Sequence, residues 1–418
     1  MNSLKTGLIV IAFGLLGAAS SNAADWPRFR GPNGTGIAED KNIPVKWAES
    51  NFLFKTELPG KGHSSPIVSK GKVFLESSSN DGKERYLLCI DAVSGKILWS
   101  KNIAGHFAKT HAKNSMSSCT PAADGERVYA IFWDGNELLL TAFDYAGELK
   151  WKQPLGGFVS QHGPGMSPMV AGDLVIVNKD QDGAAELLAF NAKDGKLVWN
   201  KKRGFERACY STPFLIEKSD AGSELVVAST GGITAYDPKD GREIWNYVWK
   251  FDKMRLRTVA SPILHQGLIF AVAGDGGGDR NMIAIKPGGK GDISATNLVW
   301  KKTKYTPYVP TPLAKDGMIF WVTDKGNFAH CVNAKTGDSV WESPRLGSGA
   351  EVSASMIMID GKILVIDEKG TAFFYPAADK FELLATNDLK EDVFASPAVA
   401  DGKLYIRGAK TLFCIGVK

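Results

Sequence analysis

Short apolar runs separated by glycine-containing turns recur along almost the whole chain. One unit extends from Ser64 to Trp99 and another from Met166 to Trp199. Each unit has a Ser/Thr-Pro pair, two apolar runs around a glycine turn, a third run that alternates polar and apolar residues, and a fourth run that ends in tryptophan. Alternation with period two predicts β-strands. Four strands in about 40 to 55 residues is the period of a β-propeller blade.

The Ser/Thr-Pro pairs give the number of units. Seven openings are marked by Pro66, Pro121, Pro168, Pro213, Pro262, Pro312 and Pro397. Ser355-Met356 marks an eighth, degenerate opening, and Leu384 replaces the closing tryptophan of that unit. A proline at the first residue of a strand removes a backbone donor that the ladder can spare. The sequence therefore predicts an all-β fold, an eight-bladed propeller of four-stranded antiparallel blades.

The two ends of the repeat region predict how the ring closes. The last opening, Ser396-Pro397, leaves room for only three strands before Lys418. The segment that begins at Phe54 aligns with the one that begins at Trp99, so an N-terminal strand is expected to complete the last blade and remove its exposed edge. The predicted organisation is a signal peptide over 1–23, an N-terminal arm over 24–50 and the propeller over 51–418.

The first residues have the layout of a secretory signal peptide. Lys5 precedes an apolar run from Leu8 to Leu16, and the small residues Ser21 and Ala23 precede the expected cut. The run is too short to span a bilayer, although an uncleaved membrane anchor is the alternative. No cysteine lies near the cut, so no lipid anchor is expected there. We expect a periplasmic or secreted protein without a membrane span.

Composition and cysteine usage narrow the function further. The net charge of +5 is spread over 95 charged side chains (50 basic and 45 acidic) without a basic run, so a nucleic-acid partner is not expected.

The five cysteines are an odd number. Cys89, Cys331 and Cys414 occupy a third-strand position where other units have alanine, which indicates buried structural thiols. Cys119 and Cys209 lie elsewhere in the repeat, where a more exposed position stays open, but all five cysteines are expected to be structural thiols.

Together, the third-strand Ala or Cys, the Asp…Gly turn and the closing tryptophan resemble the quinoprotein (PQQ-like repeat) eight-bladed propellers. The segment from Asp25 to Gly34 and the runs 114–129 and 283–292 are similar to secreted members of that family. The resemblance implies that Trp, Gly and Ala pack together between blades, here for example Ala142, Gly147 and Trp151. The implied blade-docking set is Trp99, Trp151, Trp199, Trp245, Trp300 and Trp341.

Polar residues precede the strand openings, and strand alternation places them all on one face, called the top face below. They are His63, His111, Asn114, His162, Arg207, Arg257, Tyr308, Glu351 and Asp392. The loops between second and third strands add Asp180, Asp182, Asp275 and Asp279. The longest connector, residues 104–118, also carries His106 and Lys113. Convergent polar groups at the centre of a ring predict a binding site, although a solvated channel mouth would also be polar.

Two functions remain open from the sequence. The first is a non-catalytic extracytoplasmic scaffold, a monomer that binds an unknown protein or a small polar ligand through the top face, with no cofactor and no metal. This function resembles that of the lipoprotein subunits of the outer-membrane barrel-assembly machinery, although the lipid-attachment cysteine is missing. No C-x-x-C, H-E-x-x-H or G-x-S-x-G motif indicates a metal or a nucleophile.

The alternative is a PQQ-dependent quinoprotein dehydrogenase that oxidises an alcohol or a sugar. The resemblance implies PQQ and calcium in the funnel, with His162, Arg207 and Arg257 available to the carboxylates of the cofactor. The chain has neither the adjacent cysteine pair of the alcohol-dehydrogenase branch nor a C-x-x-C-H haem site. The sequence therefore favours the scaffold.

Overall fold

The computed structural model describes residues 25–204, 207–218, 222–251, 253–277 and 279–417, and the predicted signal peptide lies outside them. Within these ranges the chain forms eight β-sheets, six with four strands and two with five. Each sheet is one blade of a propeller, which confirms the predicted fold class. Only two short 3₁₀ turns occur in the described residues, Pro32–Gly34 and Glu49–Asn51.

Within each blade we name the strands a to d from the central channel outwards. Blade 1 contains Ile67–Ser69, Lys72–Ser78, Glu84–Asp91 and Ile97–Ala104. Blade 2 contains Ala122–Ala123, Arg127–Trp133, Glu137–Asp144 and Leu149–Gly157. Blade 3 contains Met169–Ala171, Leu174–Lys179, Ala185–Asn191 and Leu197–Arg203. Blade 4 contains Phe214–Ile216, Glu224–Ser229, Gly232–Tyr236 and Glu243–Val248.

The remaining blades repeat the same order. Blade 5 contains Ile263–His265, Leu268–Gly274, Arg280–Ile285 and Leu298–Lys302. Blade 6 contains Leu313–Lys315, Met318–Val322, Ala329–Asn333 and Ser339–Trp341. Blade 7 contains Ile357–Ile359, Lys362–Ile366, Thr371–Pro376 and Ala385–Asp388. Blade 8 contains Ala398–Ala400, Lys403–Arg407 and Thr411–Ile415, and its strand d is Phe52–Glu57.

The N-terminal strand closes the ring as predicted. Phe54 lies opposite Cys414 in blade 8, just as Trp99 lies opposite Cys89 in blade 1. The strand is antiparallel to the last strand of the chain and completes its ladder. Blade 8 is therefore joined from both ends of the chain, and the ring cannot open without breaking this pairing.

Tryptophans on strand d join five of the described blades to the next blade. The indole N–H of Trp151 donates to Ala192 O at 3.0 Å, in the c–d turn of blade 3. Gly195 in that turn has φ +72°, and a Cβ there would come within 2.6 Å of the Trp151 ring. Gly147 packs in the same way against Trp99, so Ala142, Gly147 and Trp151 take part in two successive contacts. Glycine is required at these turns both by the backbone and by the close approach of the indole.

Trp245 departs from this arrangement because the c–d connection of blade 5 is longer. Its indole N–H donates to Glu224 of its own blade at 3.0 Å, and the side chain is fully buried. Residues Gly291–Asp292 of the long connection pair in parallel with Trp245 and its neighbour, which adds a fifth strand to blade 4. Ile293 is buried beside them in the blade 4 core. The long connection thus covers an edge that the other blades leave open.

All five cysteines are buried free thiols in the described structure. Neither Cys119 nor Cys209 takes the more exposed position that the sequence left open. Cys119 precedes strand a of blade 2, and its side chain belongs to the apolar core shared with blade 3. Cys209 lies beside Thr230 Oγ1, at 3.0 Å, and accepts from the Thr258 amide. Among the described residues, no helix has the length and hydrophobicity needed to cross a bilayer.

Candidate functional site

A ring of Ser and Thr hydroxyls surrounds the central channel, one from each blade opening. The backbone N–H of one opening donates to the hydroxyl of the next at seven of the eight junctions, with distances of 2.8–3.1 Å. We call these residues the hydroxyl ring: Ser65, Thr120, Ser167, Thr212, Ser261, Thr311, Ser355 and Ser396. The junction between Ser167 and Thr212 is the one without such a bond in the described structure. The hydroxyls thus link the innermost strands around the channel.

The N-terminal arm enters the channel from the bottom face and returns, and we call residues 25–40 the plug. Asp25 accepts from Ser69 at 2.7 Å at the lower end of blade 1, and Trp26 forms a β-bridge with Val68. The returning segment Ile37–Ala38 pairs in parallel with strand a of blade 7, and Asp40 accepts from the Gly402 amide at 2.7 Å. Bonds to several blades hold the plug, although its residues are far from them in sequence.

Two buried arginines fix the turn of the plug just below the hydroxyl ring. Arg28 donates to Pro213 O at 2.5 Å, and Arg30 donates to Met356 O and Pro312 O at 2.6 and 2.8 Å. Burial lowers the pKa of Arg28 to about 10 and that of Arg30 to about 9. Neither forms an ion pair within the described residues, so the guanidinium charges are balanced only by carbonyl dipoles.

A cavity of about 110 Å³ lies on the channel axis between the plug and the mouth. Phe29, between the two arginines, lines it together with His63, Tyr210, Phe394 and seven members of the hydroxyl ring. The His63 ring is stacked on Phe394, with centroids 4.4 Å apart. Burial, together with the charges of Arg407 and Lys61, lowers the pKa of His63 to about 4. His63 is therefore neutral near pH 7.

The connector of residues 104–118 crosses the mouth of the channel. Lys113 contacts both Glu351 and Glu368 of the opposite side of the ring, with the Glu368 carboxylate 2.5 Å from its ammonium. The next residue, Asn114, donates to His162 O on the other side of the mouth at 2.8 Å. Ser353 donates at 2.6 Å to Oε1 of Glu368, the oxygen that Lys113 also contacts. A crosslink over the channel thus brings together three of the predicted residues, Asn114, His162 and Glu351.

His111 and His162 meet under this connector. Their ring centroids are 4.8 Å apart, and the His111 amide donates to His162 O at 3.2 Å. Burial, followed by the charges of Arg257 and His111, lowers the pKa of His162 to about 4. Nδ1 of His162 has no hydrogen-bond partner among the described residues. These two histidines form an aromatic side of the mouth.

The side of the mouth formed by blades 4 to 6 carries cations and tyrosines. Arg207 donates to Arg255 O at 2.7 Å, and the buried Arg257 lies 3.9 Å from Asp182. The Arg280 guanidinium covers the Tyr308 ring at 4.9 Å. The geometry therefore gathers Arg257 and Tyr308 with His162, and the more exposed Arg207 lies beside them.

Other predicted residues lie outside this group. Asp392 is half-exposed and pairs with Lys369 at 3.2 Å. Asp180 is buried against Arg203 at 3.2 Å, inside blade 3. Asp275 accepts from the amide of Gly277 in its own turn at 2.8 Å. Among the described residues, no group of three or more His, Cys, Asp or Glu side chains is placed to hold a metal ion.

Three features of the site were missed by sequence reasoning. Arg28 and Arg30 belong to the segment that resembles secreted members of the family, but the sequence assigns them no role. The sequence does not place Phe29 in the channel either. Lys113 was noted only as part of a long connector. The hydroxyl ring was visible as a Ser or Thr before each proline, and its retention at Ser355, where the proline is lost, was the available signal.

Comparisons with known proteins agree with the fold. The profile of the family described as outer membrane protein assembly factor BamB matches residues 45–138 and 89–343. The chain is similar to outer membrane protein assembly factor BamB of Shewanella oneidensis, with 22% identity over 345 residues, 77% of this chain and 79% of the relative.

Solved structures show the same architecture at low identity. The crystal structure of BamB from Moraxella catarrhalis matches with a TM-score of 0.62 and 14% identity, over 87% of this chain and 97% of that one. A europium-containing methanol dehydrogenase matches with a TM-score of 0.69 and 12% identity, over 93% and 90%. At these identities the structures support the fold alone. Since the family profile spans residues 45–343, well over half of the sequence, the chain belongs to the PQQ-like repeat propeller family that includes outer membrane protein assembly factor BamB.

Proposed function

We propose that this chain is a non-catalytic, extracytoplasmic scaffold that binds a protein partner through the rim of its top face. The observation that carries the proposal is a set of exposed large apolar side chains in the loops of that rim. They are Phe107, Val159, Met254, Tyr305 and Phe328, exposed by 37–74%. Aromatic and methionine side chains are enriched in protein interfaces, where they supply most of the binding energy.

The closed mouth favours the rim over the channel as the contact surface. The connector 104–118 spans the mouth and is held by Lys113 on one side and by Asn114 on the other. A large partner cannot enter below it, whereas Phe107 projects from the connector itself and is 65% exposed. The name of the Shewanella relative, an outer membrane assembly factor, supports a protein partner and a periplasmic location.

The donor groups at the mouth are poorly matched to a calcium–PQQ centre. Ca²⁺ requires six to eight oxygen ligands, of which several are usually carboxylates. The carboxylates of Glu351 and Glu368 are both engaged by Lys113. The five thiols are buried and unpaired, so none offers the adjacent disulfide of the alcohol-dehydrogenase branch. The residues at the mouth therefore do not fit a calcium–PQQ centre.

Site-specific photo-crosslinking in the native cells tests the proposal. A photoreactive residue replaces Phe107 or Tyr305 on the rim, and Val93, which is 71% exposed in a bottom-face turn, serves as the matched control. We expect both rim positions to crosslink to the same envelope protein and the Val93 position not to do so. Equal crosslinking at Val93, or dye-linked alcohol oxidation by the protein reconstituted with PQQ and Ca²⁺, would overturn the scaffold.

A further inference from the structure

The hydroxyl ring holds hydrogen-bond donors that the protein does not use. Each ring hydroxyl that accepts a neighbouring backbone N–H keeps its own proton to donate. In the part of the chain that the structure describes, none of the eight ring hydroxyls donates to a protein acceptor. Seven of these residues line the cavity of about 110 Å³. The cavity is therefore surrounded by unused donors.

The charge around the cavity also favours an anion, because it is positive and has no counter-charge among the described residues. Arg28 and Arg30 are 7% and 1% exposed, and their guanidinium groups donate to the carbonyls of Pro213 and Pro312, each one residue beyond a ring member. No ion pair neutralises them within the described ranges. Burial of a cation without a counter-charge is costly, and a bound anion would offset that cost.

Few hydrogen-bond acceptors that would repel an anion lie at the channel cavity. Among the described residues that line the cavity, none is a carboxylate. One acid, Glu368, contacts the lining residue Ser353 at 2.6 Å, and Lys113 holds that carboxylate at 2.5 Å. One water needs about 10–15 Å³ of such space, so the cavity has room for a group much larger than one water.

We propose that this channel cavity binds one small tetrahedral oxyanion, of the phosphate and sulfate class. The ring hydroxyls would donate hydrogen bonds to its oxygens, and the two buried arginines below would supply the counter-charge. The site lies between the plug and the connector and is lined by the ring, and it does not depend on the proposed binding of a partner at the rim.

Crystals grown with sodium selenate locate the anion directly, since selenium gives an anomalous signal. We expect an anomalous peak on the channel axis, within hydrogen-bond distance of ring hydroxyls and above Phe29. Ordered water alone in the cavity, or selenate only at other places on the protein, would overturn the proposal.

Thr212→Val tests the donors without breaking a bond between blades. The Thr212 hydroxyl is the one ring oxygen that accepts no backbone N–H in the described structure, while its amide bond to Ser261 at 2.9 Å is retained in valine. Thr234→Val is the matched control, a buried threonine of the same blade on strand c, away from the channel.

Isothermal titration with inorganic phosphate measures the effect of these variants. We expect one site in the unmodified protein, about tenfold or more weaker binding in Thr212→Val and unchanged binding in Thr234→Val. Equal affinity in all three proteins would identify an adventitious ion only and count against the site. Crosslinking at the rim is independent of this result, so the two proposals can fail separately.

Discussion

The backbone amide of Ser396 donates a hydrogen bond to the hydroxyl of Ser65, 3.0 Å away and 331 residues earlier in the chain. This is the same contact that joins the other openings of the hydroxyl ring, so the first and last blades meet at the channel as ordinary neighbours. On the outside, the pairing of Phe54 opposite Cys414 closes the same junction. The ring is therefore closed at both its inner and its outer edge.

We predict that Ser65→Ala lowers the free energy of unfolding by about 1–3 kcal/mol, because it leaves the buried Ser396 amide without an acceptor. Ser100→Ala, at an exposed position of the same blade, is expected to stay within about 0.5 kcal/mol. Urea denaturation of both variants measures the difference. Equal stability of the two variants would show that the Ser65 hydroxyl contributes nothing to closure.

The repeated part of the fold could be predicted from the sequence, because each blade buries its own local pattern of strands. The openings predict the number of blades, and the alignment of the segments that begin at Phe54 and Trp99 predicts the closing strand. The opening at Ser355 is degenerate in sequence because it lacks proline, yet its hydroxyl accepts the Thr311 amide at 3.0 Å like the others. The hydroxyl, not the proline, is the feature that every opening shares.

The plug and the connector could not be predicted in the same way. Arg30 bonds to Met356, 326 residues away, and Lys113 contacts Glu368 across the channel. Such contacts depend on where the closed ring places distant loops, and no local periodicity records them. Composition showed that the mouth is polar, but it did not show that a connector covers it.

Deletion of the plug tests how far the N-terminal arm supports the ring. We expect a chain without residues 25–40 to unfold at a lower temperature, because the arginine bonds to blades 4, 6 and 7 and the pairing of Ile37–Ala38 are lost. A chain without residues 25–57 also loses strand d of blade 8 and should aggregate through the free edge. Size-exclusion chromatography and thermal denaturation compare the two. A monomer with unchanged stability after the longer deletion would contradict this closure.

Trp151→Ala tests the packing between blades. The side chain is 7% exposed, and its indole contacts Gly195 and Ala192 of the next blade. We expect a loss of about 3–5 kcal/mol, the range for emptying a large aromatic site in a core. Leu149→Ala on the same strand, at a position that is 49% exposed, should cost less than about 1 kcal/mol. A loss of under about 1 kcal/mol for Trp151→Ala as well would place this contact outside the core.

His63 should make the stability depend on pH. Its pKa is lowered to about 4 in the fold, against about 6.5 in the unfolded chain, so the unfolded state binds the proton more readily. The contribution of the neutral ring is fully present above about pH 6.5 and is lost as the pH falls towards 4. We expect His63→Gln to reduce the loss of stability between pH 7 and pH 5 by about 1–2 kcal/mol. Urea denaturation at both pH values measures it, and an unchanged difference would mean that His63 is not the group that titrates.

Lys113 holds the connector across the mouth of the channel through its contacts with Glu351 and Glu368. Lys113→Met removes the contacts with Glu351 and Glu368, leaves two carboxylates facing each other and frees the middle of the connector. Local opening of a loop appears as faster amide hydrogen exchange without a change in global stability. We therefore expect faster exchange over residues 104–118 and unchanged exchange in the strands of blades 3 to 5. Lys369→Met, which removes the exposed pair with Asp392 outside the connector, is the matched control and should leave that segment as it is. If both variants exchange like the parent, other contacts hold the connector, among them the bond from Asn114 to His162.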